Sequence, residues 1–353
     1  MNFKQTLWIS HSALSAYSRC PHLYYFEYIY RNPKTGNRIQ IVNPYLSLGS
    51  AVHETIEGLA NVSIKKRKQI SLKERFENIF EGYRGKKGGF LLKSQENDFY
   101  GRGVKMMERV EKSNFLEKPS TMLEKNFPVV DLFSGEAKLV GSLDWIEVLP
   151  GGGAHIIDFK TGNNREGNGS LQLPIYAILA KENLSIEVEK VSYWYLQHDD
   201  NPVSQEIGDL NSSLEAIKEK TSAIKRSIAN NYFPCKYNGK CFSCGDYEKI
   251  FGGEAEMIGS DKERKKDLFF VFKEEDVAKK VIEDNFLNAD EKEMFKDRIA
   301  GNTNETKKGS GDPVEEGTEK VQEIKAKLKK NLSKGELKAV VKLLNNNGKK
   351  SES

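Results

Sequence analysis

Between Val140 and Lys160 the chain reads VGSLDWIEVLPGGGAHIIDFK, two β-like runs around a Pro-Gly-Gly-Gly turn. Asp144 lies in the first run, and Asp158, Phe159 and Lys160 end the second. Side chains alternate faces along a strand, so Asp158 and Lys160 point the same way. A hairpin turning at Pro150 to Gly153 brings Asp144 beside them. Two carboxylates and a lysine then share one sheet face, the donor set required for hydrolysing a phosphodiester with a divalent cation. Hard carboxylate oxygens suit Mg²⁺ or Mn²⁺. Such an ion acidifies a water and neutralises charge developing on the phosphate. A lysine alongside orients that water, or takes its proton if burial and the cation lower its pKa. An Asp-x-Lys pair alone is common at solvated strand ends. Ile156 and Ile157 ahead of Asp158 argue instead for a buried strand delivering polar residues at its end.

Two helices must bring further groups. After the loop Thr161 to Ser170 comes LQLPIYAILAKE, a helical pattern in which Gln172 and Tyr176 are four apart and share a face. Pro174 falls in its first turn, where a missing N–H is harmless. Upstream, LSLGSAVHETIEGLA also reads as a helix, with His53 and Glu57 on one face. A single helical histidine usually serves structure and gains weight only from the company of the other residues.

The ordered set His53, Gly141-x-x-Asp144, Asp158-Phe159-Lys160 and Gln172-x-x-x-Tyr176 resembles the PD-(D/E)XK nucleases. It is most similar to the RecB-type branch: nuclease domains of bacterial recombination helicase–nucleases, CRISPR-adaptation nucleases and many phage exonucleases. The opening ISHSALSAYSRCPHLYYFEYI, with its Ser-rich helix start, Cys-Pro pair and aromatic helix, adds to the likeness, which spans roughly Ile9 to Tyr247. The resemblance implies that His53, Asp144, Asp158 and the backbone carbonyl of Phe159 are metal ligands, and that Lys160 is the catalytic lysine. Gln172 and Tyr176 match a motif that organises the site or contacts nucleic acid. Glu124, in TMLEKNFPVV, falls where relatives often carry a glutamate on the first sheet strand, although an exposed strand carboxylate is the commoner reading of it.

The four cysteines, Cys20, Cys235, Cys241 and Cys244, form a second constellation with none left over. Four thiolates hold an iron–sulfur cluster or zinc. A subset of the RecB-type branch places one early and three late cysteines around a 4Fe-4S cluster, so the resemblance implies such a cluster, stapling the two ends of the nuclease core; zinc is the alternative. The spacing here is Cys-x5-Cys-x2-Cys, whereas the familiar form is Cys-x2-Cys-x5-Cys, with Ile250 where its last cysteine would stand. Disulfides are disfavoured in a chain of cytosolic character.

The 353 residues are 38% hydrophobic and 30% charged, with a net charge of +4. Mean hydropathy is −0.61 and the pI is near 8.6. The N-terminus MNFKQTLWIS lacks a signal-peptide core, and no run approaches the ~20 apolar residues of a membrane span. A soluble, cytoplasmic chain is expected. Mild basicity permits nucleic-acid binding, and the clusters Lys65 to Lys68 and Arg84 to Lys87 are candidate phosphate contacts.

Helices are expected at Ser12 to Ile29, Leu48 to Ser63, Leu72 to Gly82, Glu96 to Leu116 and about Ser212 to Asn230. Strands are expected at Thr121 to Val130, Ala137 to Leu149, Ala154 to Lys160 and in IEVEKVSYWYLQH. This order indicates an α/β fold: a restriction-endonuclease-like core with a mixed central β-sheet flanked by helices, an N-terminal helical region and a helical C-terminal extension. The expected organisation is a nuclease domain over 1–252, a helical extension over 253–300, a flexible linker over 301–317 and a small helical tail over 318–353. That tail is too small to bury much surface alone and is expected to dock on a protein partner, on the nuclease or on DNA. The resemblance implies a metal-dependent DNA exonuclease in recombination, repair or phage DNA metabolism. A CRISPR-adaptation end-trimming nuclease is a second version. A non-catalytic DNA-binding module on a degenerate nuclease fold is a third, opposed by the presence of every ligand and the lysine.

Overall fold

The run Ala154–Lys160 is buried on both faces up to its terminal lysine, which is why it shows no polar alternation. It is the central strand of a five-stranded sheet in a computed structural model describing residues 6–121, 128–167, 169–184, 186–239, 241–299 and 313–345. The chain begins with β1 (Leu7–Ile9), α1 (His11–Arg19), α2 (Pro21–Tyr24), β2 (Arg38–Val42), α3 (Pro44–Glu57), α4 (Ile64–Arg67), α5 (Leu72–Phe80) and α6 (Lys93–Lys112). Then come β3 (Ser120–Thr121), β4 (Val129–Leu132), β5 (Ala137–Val140), β6 (Trp145–Val148), β7 (Ala154–Lys160), α7 (Gln172–Leu184), β8 (Val188–Tyr195), β9 (Val203–Gln205) and α8 (Leu210–Ala229). The remainder is α9 (Gly245–Phe251), β10 (Ala255–Asp261), β11 (Lys266–Val271), α10 (Glu274–Glu283), α11 (Ala289–Ile299), α12 (Pro313–Asn331) and α13 (Lys334–Asn345).

The central sheet has the order β3-β6-β7-β8-β9. β6 and β7 form the expected hairpin, with Trp145 opposite Ile157 and Gly152 at a φ of 86° in the turn. β7 and β8 run parallel, joined by the α7 crossover, so the sheet is mixed. One face packs Trp145, Ile157, Phe159 and Trp194 against buried apolar residues of α3, α5 and α6. The other packs Ile146, Ile156, Val191 and Tyr193 against α1, α7 and α8. This is the expected restriction-endonuclease-like α/β architecture.

Three expected elements differ in ways that matter. The strand expected over Ala137 to Leu149 breaks at Gly141 to Asp144, and its halves join different sheets, β5 between β1 and β4 and β6 beside β7. A Cβ on Gly141 would lie 2.9 Å from Leu179 Cδ1, so glycine lets this corner pass tightly over α7. The strand expected over Thr121 to Val130 likewise divides between β3 and β4, while residues 122–127, Glu124 among them, lie outside the described residues. The helix expected over Ser12 to Ile29 is interrupted at Cys20, which is extended (φ −161°, ψ 123°), and restarts at Pro21. Proline pushes its predecessor out of the helical region and is well placed at a first helical position.

The region expected as a helical extension begins instead with a β-hairpin, β10–β11. Its second strand pairs in parallel with β2, Lys266 opposite Arg38 through Phe270 opposite Val42. The tail does not stand apart either. Ile324, Leu328, Leu332, Val340 and Leu344 bury against Phe270, Phe272, Val277, Val281 and Phe295, and buried Glu336 pairs with Lys280 at 2.6 Å. The apolar side chains of the tail are therefore covered within the chain. No helix among the described residues is long and apolar enough to cross a membrane.

Candidate active site

Continuing the β6–β7 register by one residue sets Asp144 opposite Asp158. Asp144 sits at the corner leading into β6 and accepts the backbone N–H of Phe159 on Oδ2 at 2.8 Å. Both aspartates are buried, at 6% and 1% exposure, although no core strand ordinarily tolerates two adjacent carboxylates. Burial, and then the charge of Asp144, push the Asp158 carboxyl up to about 7, against the pull of Lys160 and His53. Asp158 Oδ2 faces the Lys160 ammonium at 2.9 Å as an ion pair, without a hydrogen bond of acceptable angle.

α7 locks the opposite side. Gln172 Nε2 donates to Asp158 Oδ1 at 2.7 Å and lies 3.1 Å from the Tyr176 hydroxyl, while its Oε1 accepts from Lys160 Nζ at 2.5 Å. An amide suits this place because its donor faces the carboxylate and its acceptor faces the ammonium. Lys160 also pairs with Glu166 at 3.3 Å and lies over the Tyr193 ring. Burial opposes its charge, but Asp158 and Glu166 outweigh burial and raise the lysine above its ordinary value. Tyr176 is pushed well above the usual phenol value by burial and by the two aspartates, so its hydroxyl stays protonated.

α3 supplies the histidine. Asn43 caps its N-terminus through the Leu46 N–H at 3.0 Å, Pro44 begins it, and Leu48, Ala51, Val52 and Ile56 anchor its inner face. His53 is thereby aimed at the end of β7, with Nε2 3.0 Å from the Phe159 carbonyl oxygen. Its Nδ1 is 2.6 Å from Glu57 Oε1 and 3.4 Å from Asp144 Oδ2. Burial disfavours the imidazolium, yet the Asp144 and Glu57 carboxylates prevail and hold His53 well above its ordinary pKa.

Seven of the residues singled out in the sequence thus meet, His53, Asp144, Asp158, Phe159, Lys160, Gln172 and Tyr176, while Glu124 lies outside the described residues. The ligand atoms of His53, Glu57 and Asp144 lie within 4.8 Å of one another, while Asp158 turns its oxygens to Lys160 and Gln172. A divalent cation fits this donor set. His53, Glu57 and Asp144 offer one imidazole and hard carboxylate oxygens that would hold it, and the charge of the Asp144–Asp158 pair is only partly answered by the residues around it. Three neighbours were not singled out as site residues. Glu57, one turn beyond His53, was legible as sharing its face. Glu166 sits in an irregular loop, where spacing carries no signal. His11, at the start of α1, is held below its ordinary pKa by burial and by nearby Lys160, and no pattern links it to the site.

A groove of about 620 Å³ opens beside His53, bordered by Tyr45, Ser50, Glu57, Tyr83, Thr161 and Arg264. Arg264 belongs to the β10–β11 turn, so the C-terminal region supplies one wall. Several cations of the basic clusters are engaged within the chain. Arg67 is buried and donates to the carbonyls of Ala60, Val62 and Lys118. Arg84 pairs with Glu81 and Glu96, and Lys86 with Glu256. Glu147, His155 and Ser192 are aligned like a hydrolase triad, at 3.1 and 2.8 Å. Ser192 is wholly buried between strands, so this is a sealed cross-strand network and not a nucleophile.

The cysteines meet away from this site. Cys20, at the break between α1 and α2, joins Cys235, Cys241 and Cys244, all four Sγ atoms lying within 4.8 Å of one another and none in a disulfide.

No curated protein sequence matches the chain. A solved structure from Eubacterium rectale, described as a "Putative exonuclease", is 14% identical and aligns over 67% of this chain and 87% of its own, with a TM-score of 0.41. The sequence model of the PD-(D/E)XK nuclease superfamily matches residues 8–247, the stretch that builds the central sheet, the site at the end of its middle strand and the cysteine cluster. The chain belongs to the PD-(D/E)XK nuclease superfamily.

Proposed function

We propose that this nuclease is a divalent-metal-dependent deoxyribonuclease of the RecB-type branch, acting as an exonuclease in DNA recombination, repair or phage DNA metabolism. The observation that carries the reading is the convergence of His53, Asp144, Asp158 and Lys160 at the end of β7, beside an open groove. His53, Asp144, Asp158 and the Phe159 carbonyl would hold Mg²⁺ or Mn²⁺, with Glu57 steadying His53. When bound, the ion supplies a Lewis acid that activates water and offsets phosphate charge.

The chain's own residues do the rest. Gln172 fixes the relative position of Asp158 and Lys160, and Tyr176 supports Gln172 from the next turn of α7. Lys160, held as a cation by Asp158 and Glu166, orients the attacking water and meets charge growing on the scissile phosphate. DNA would lie in the groove by Tyr45 and Thr161, where the exposed Arg264 guanidinium suits a backbone phosphate.

The test is cleavage of end-labelled single- and double-stranded DNA with Mg²⁺ or Mn²⁺, wild type beside Lys160→Ala and Asp144→Ala. Metal-dependent cutting that both substitutions abolish is expected, and release of products from one labelled end would identify an exonuclease. Folded wild type that binds the ions yet cuts neither DNA nor RNA would refute the reading.

A further inference from the structure

The resemblance implies a 4Fe-4S cluster at the four cysteines, and the sulfur positions test that implication. Cys20 Sγ is 4.0 Å from Cys244 Sγ, which is 3.7 Å from Cys235 Sγ, and no pair in the set exceeds 4.8 Å. Four thiolates around one tetrahedral ion, each bonded at about 2.3 Å, are separated by about 3.8 Å, the edge of that tetrahedron. In a cubane each thiolate binds a different iron corner and each bond points outward, so the sulfurs stand roughly 6 Å or more apart. The observed spacing fits the single ion and does not fit the cubane.

The backbone agrees. The Gly245 N–H closes the turn on the Cys241 carbonyl at 2.8 Å. A tight Cys-x2-Cys turn holds its two thiolates toward a common point. Cys20 and Cys244 are both fully buried, so spreading them to cubane separations would displace α1 against α9. The altered spacing, Cys-x5-Cys-x2-Cys with Ile250 where the familiar form has its last cysteine, falls in the same part of the chain.

We propose that Cys20, Cys235, Cys241 and Cys244 hold one structural Zn²⁺ and no iron–sulfur cluster. Its role is to tie the α1–α2 junction to the turn before α9, closing the nuclease core without redox chemistry.

The experiment uses the full chain, expressed with iron and zinc both supplied and purified without oxygen. Metal and acid-labile sulfide are measured per chain, and Co²⁺ is then exchanged into the site. One zinc, no sulfide and the intense visible d–d bands of tetrahedral cobalt thiolate are expected. Four irons with four sulfides, or a chain with neither metal at the thiols, would overturn the proposal. Cys235→Ser, at the most exposed of the four positions, should lose zinc to a chelator at least tenfold faster than wild type; an unchanged rate would count against ligation by that sulfur. None of these readings involves DNA cleavage, so their failure and the failure of the nuclease proposal remain distinguishable.

Discussion

Substituting Asp158 by asparagine should abolish metal-dependent cleavage while making the metal-free protein relatively more stable at neutral pH. Burial and the neighbouring Asp144 raise the Asp158 carboxyl from an ordinary 3.8 to about 7. Below the lower value both folded and unfolded chains are protonated there, and the group has no effect on stability. Between the two, the unfolded chain gives up the proton and the native chain keeps it, so wild-type stability falls as pH rises. Above the upper value the loss is complete. At about 1.4 kcal/mol per pH unit, the span from 3.8 to about 7 amounts to about 4 kcal/mol. The introduced amide would keep an acceptor for Gln172 but lose the ion pair with Lys160, so the two proteins will differ by some offset at acid pH. The decisive quantity is how that difference changes. From about pH 4 to about pH 8 it should move by about 4 kcal/mol in favour of Asp158→Asn. Chemical denaturation in the presence of a chelator measures it. Adding Mg²⁺ or Mn²⁺ should stabilise wild type and leave the variant unmoved, because the ion takes the place of the proton. Parallel stability curves for the two proteins across this range would refute the reasoning, because Asp158 would then titrate normally in the fold.

Other outcomes follow from the same geometry. Gly141→Val should reduce cleavage and destabilise the fold by about 1–3 kcal/mol, because the added side chain drives into Leu179 and Tyr176; activity and thermal unfolding would be measured together. Arg264→Ala should weaken DNA binding and lower the slope of log affinity against log salt by about 1, while turnover at saturating DNA changes little. Leu328→Ala, wholly buried between the tail and α10, should cost about 2–5 kcal/mol in the C-terminal core, read by hydrogen exchange in α10 and α13. A chain ended at Gly252 should aggregate or unfold more readily than the full chain, because β2 loses its partner β11 and presents an open edge; light scattering on heating would show it.

The residues that meet at the end of β7 were legible because their constraints are local. Asp158 and Lys160 share a face through strand alternation, Gln172 and Tyr176 through one helical turn, and the Pro-Gly-Gly-Gly turn brings Asp144 across from them. Such relations depend on the period of an element and the length of a turn, both written in consecutive residues. Glu166 and His11 were not legible, since a loop and a helix start carry no period from which their direction could be read. The division of Ala137 to Leu149 between two sheets was hidden for a related reason: the corner is set by contact with Leu179, far along the chain.

The amino-acid sequence by itself determined the α/β core, the order of its elements and the family, because hydrophobic periodicity and motif order survive without coordinates. Tertiary structure alone decided where distant surfaces meet. The pairing of β11 with β2 and the burial of the tail on α10 and α11 follow from which apolar faces remain uncovered once the core has formed. The separation of the four sulfurs was decided in the same way. Spacing names four ligands, but only the packing of the α1–α2 junction against the turn before α9 sets how far apart they stand, and that distance distinguishes one ion from a cluster.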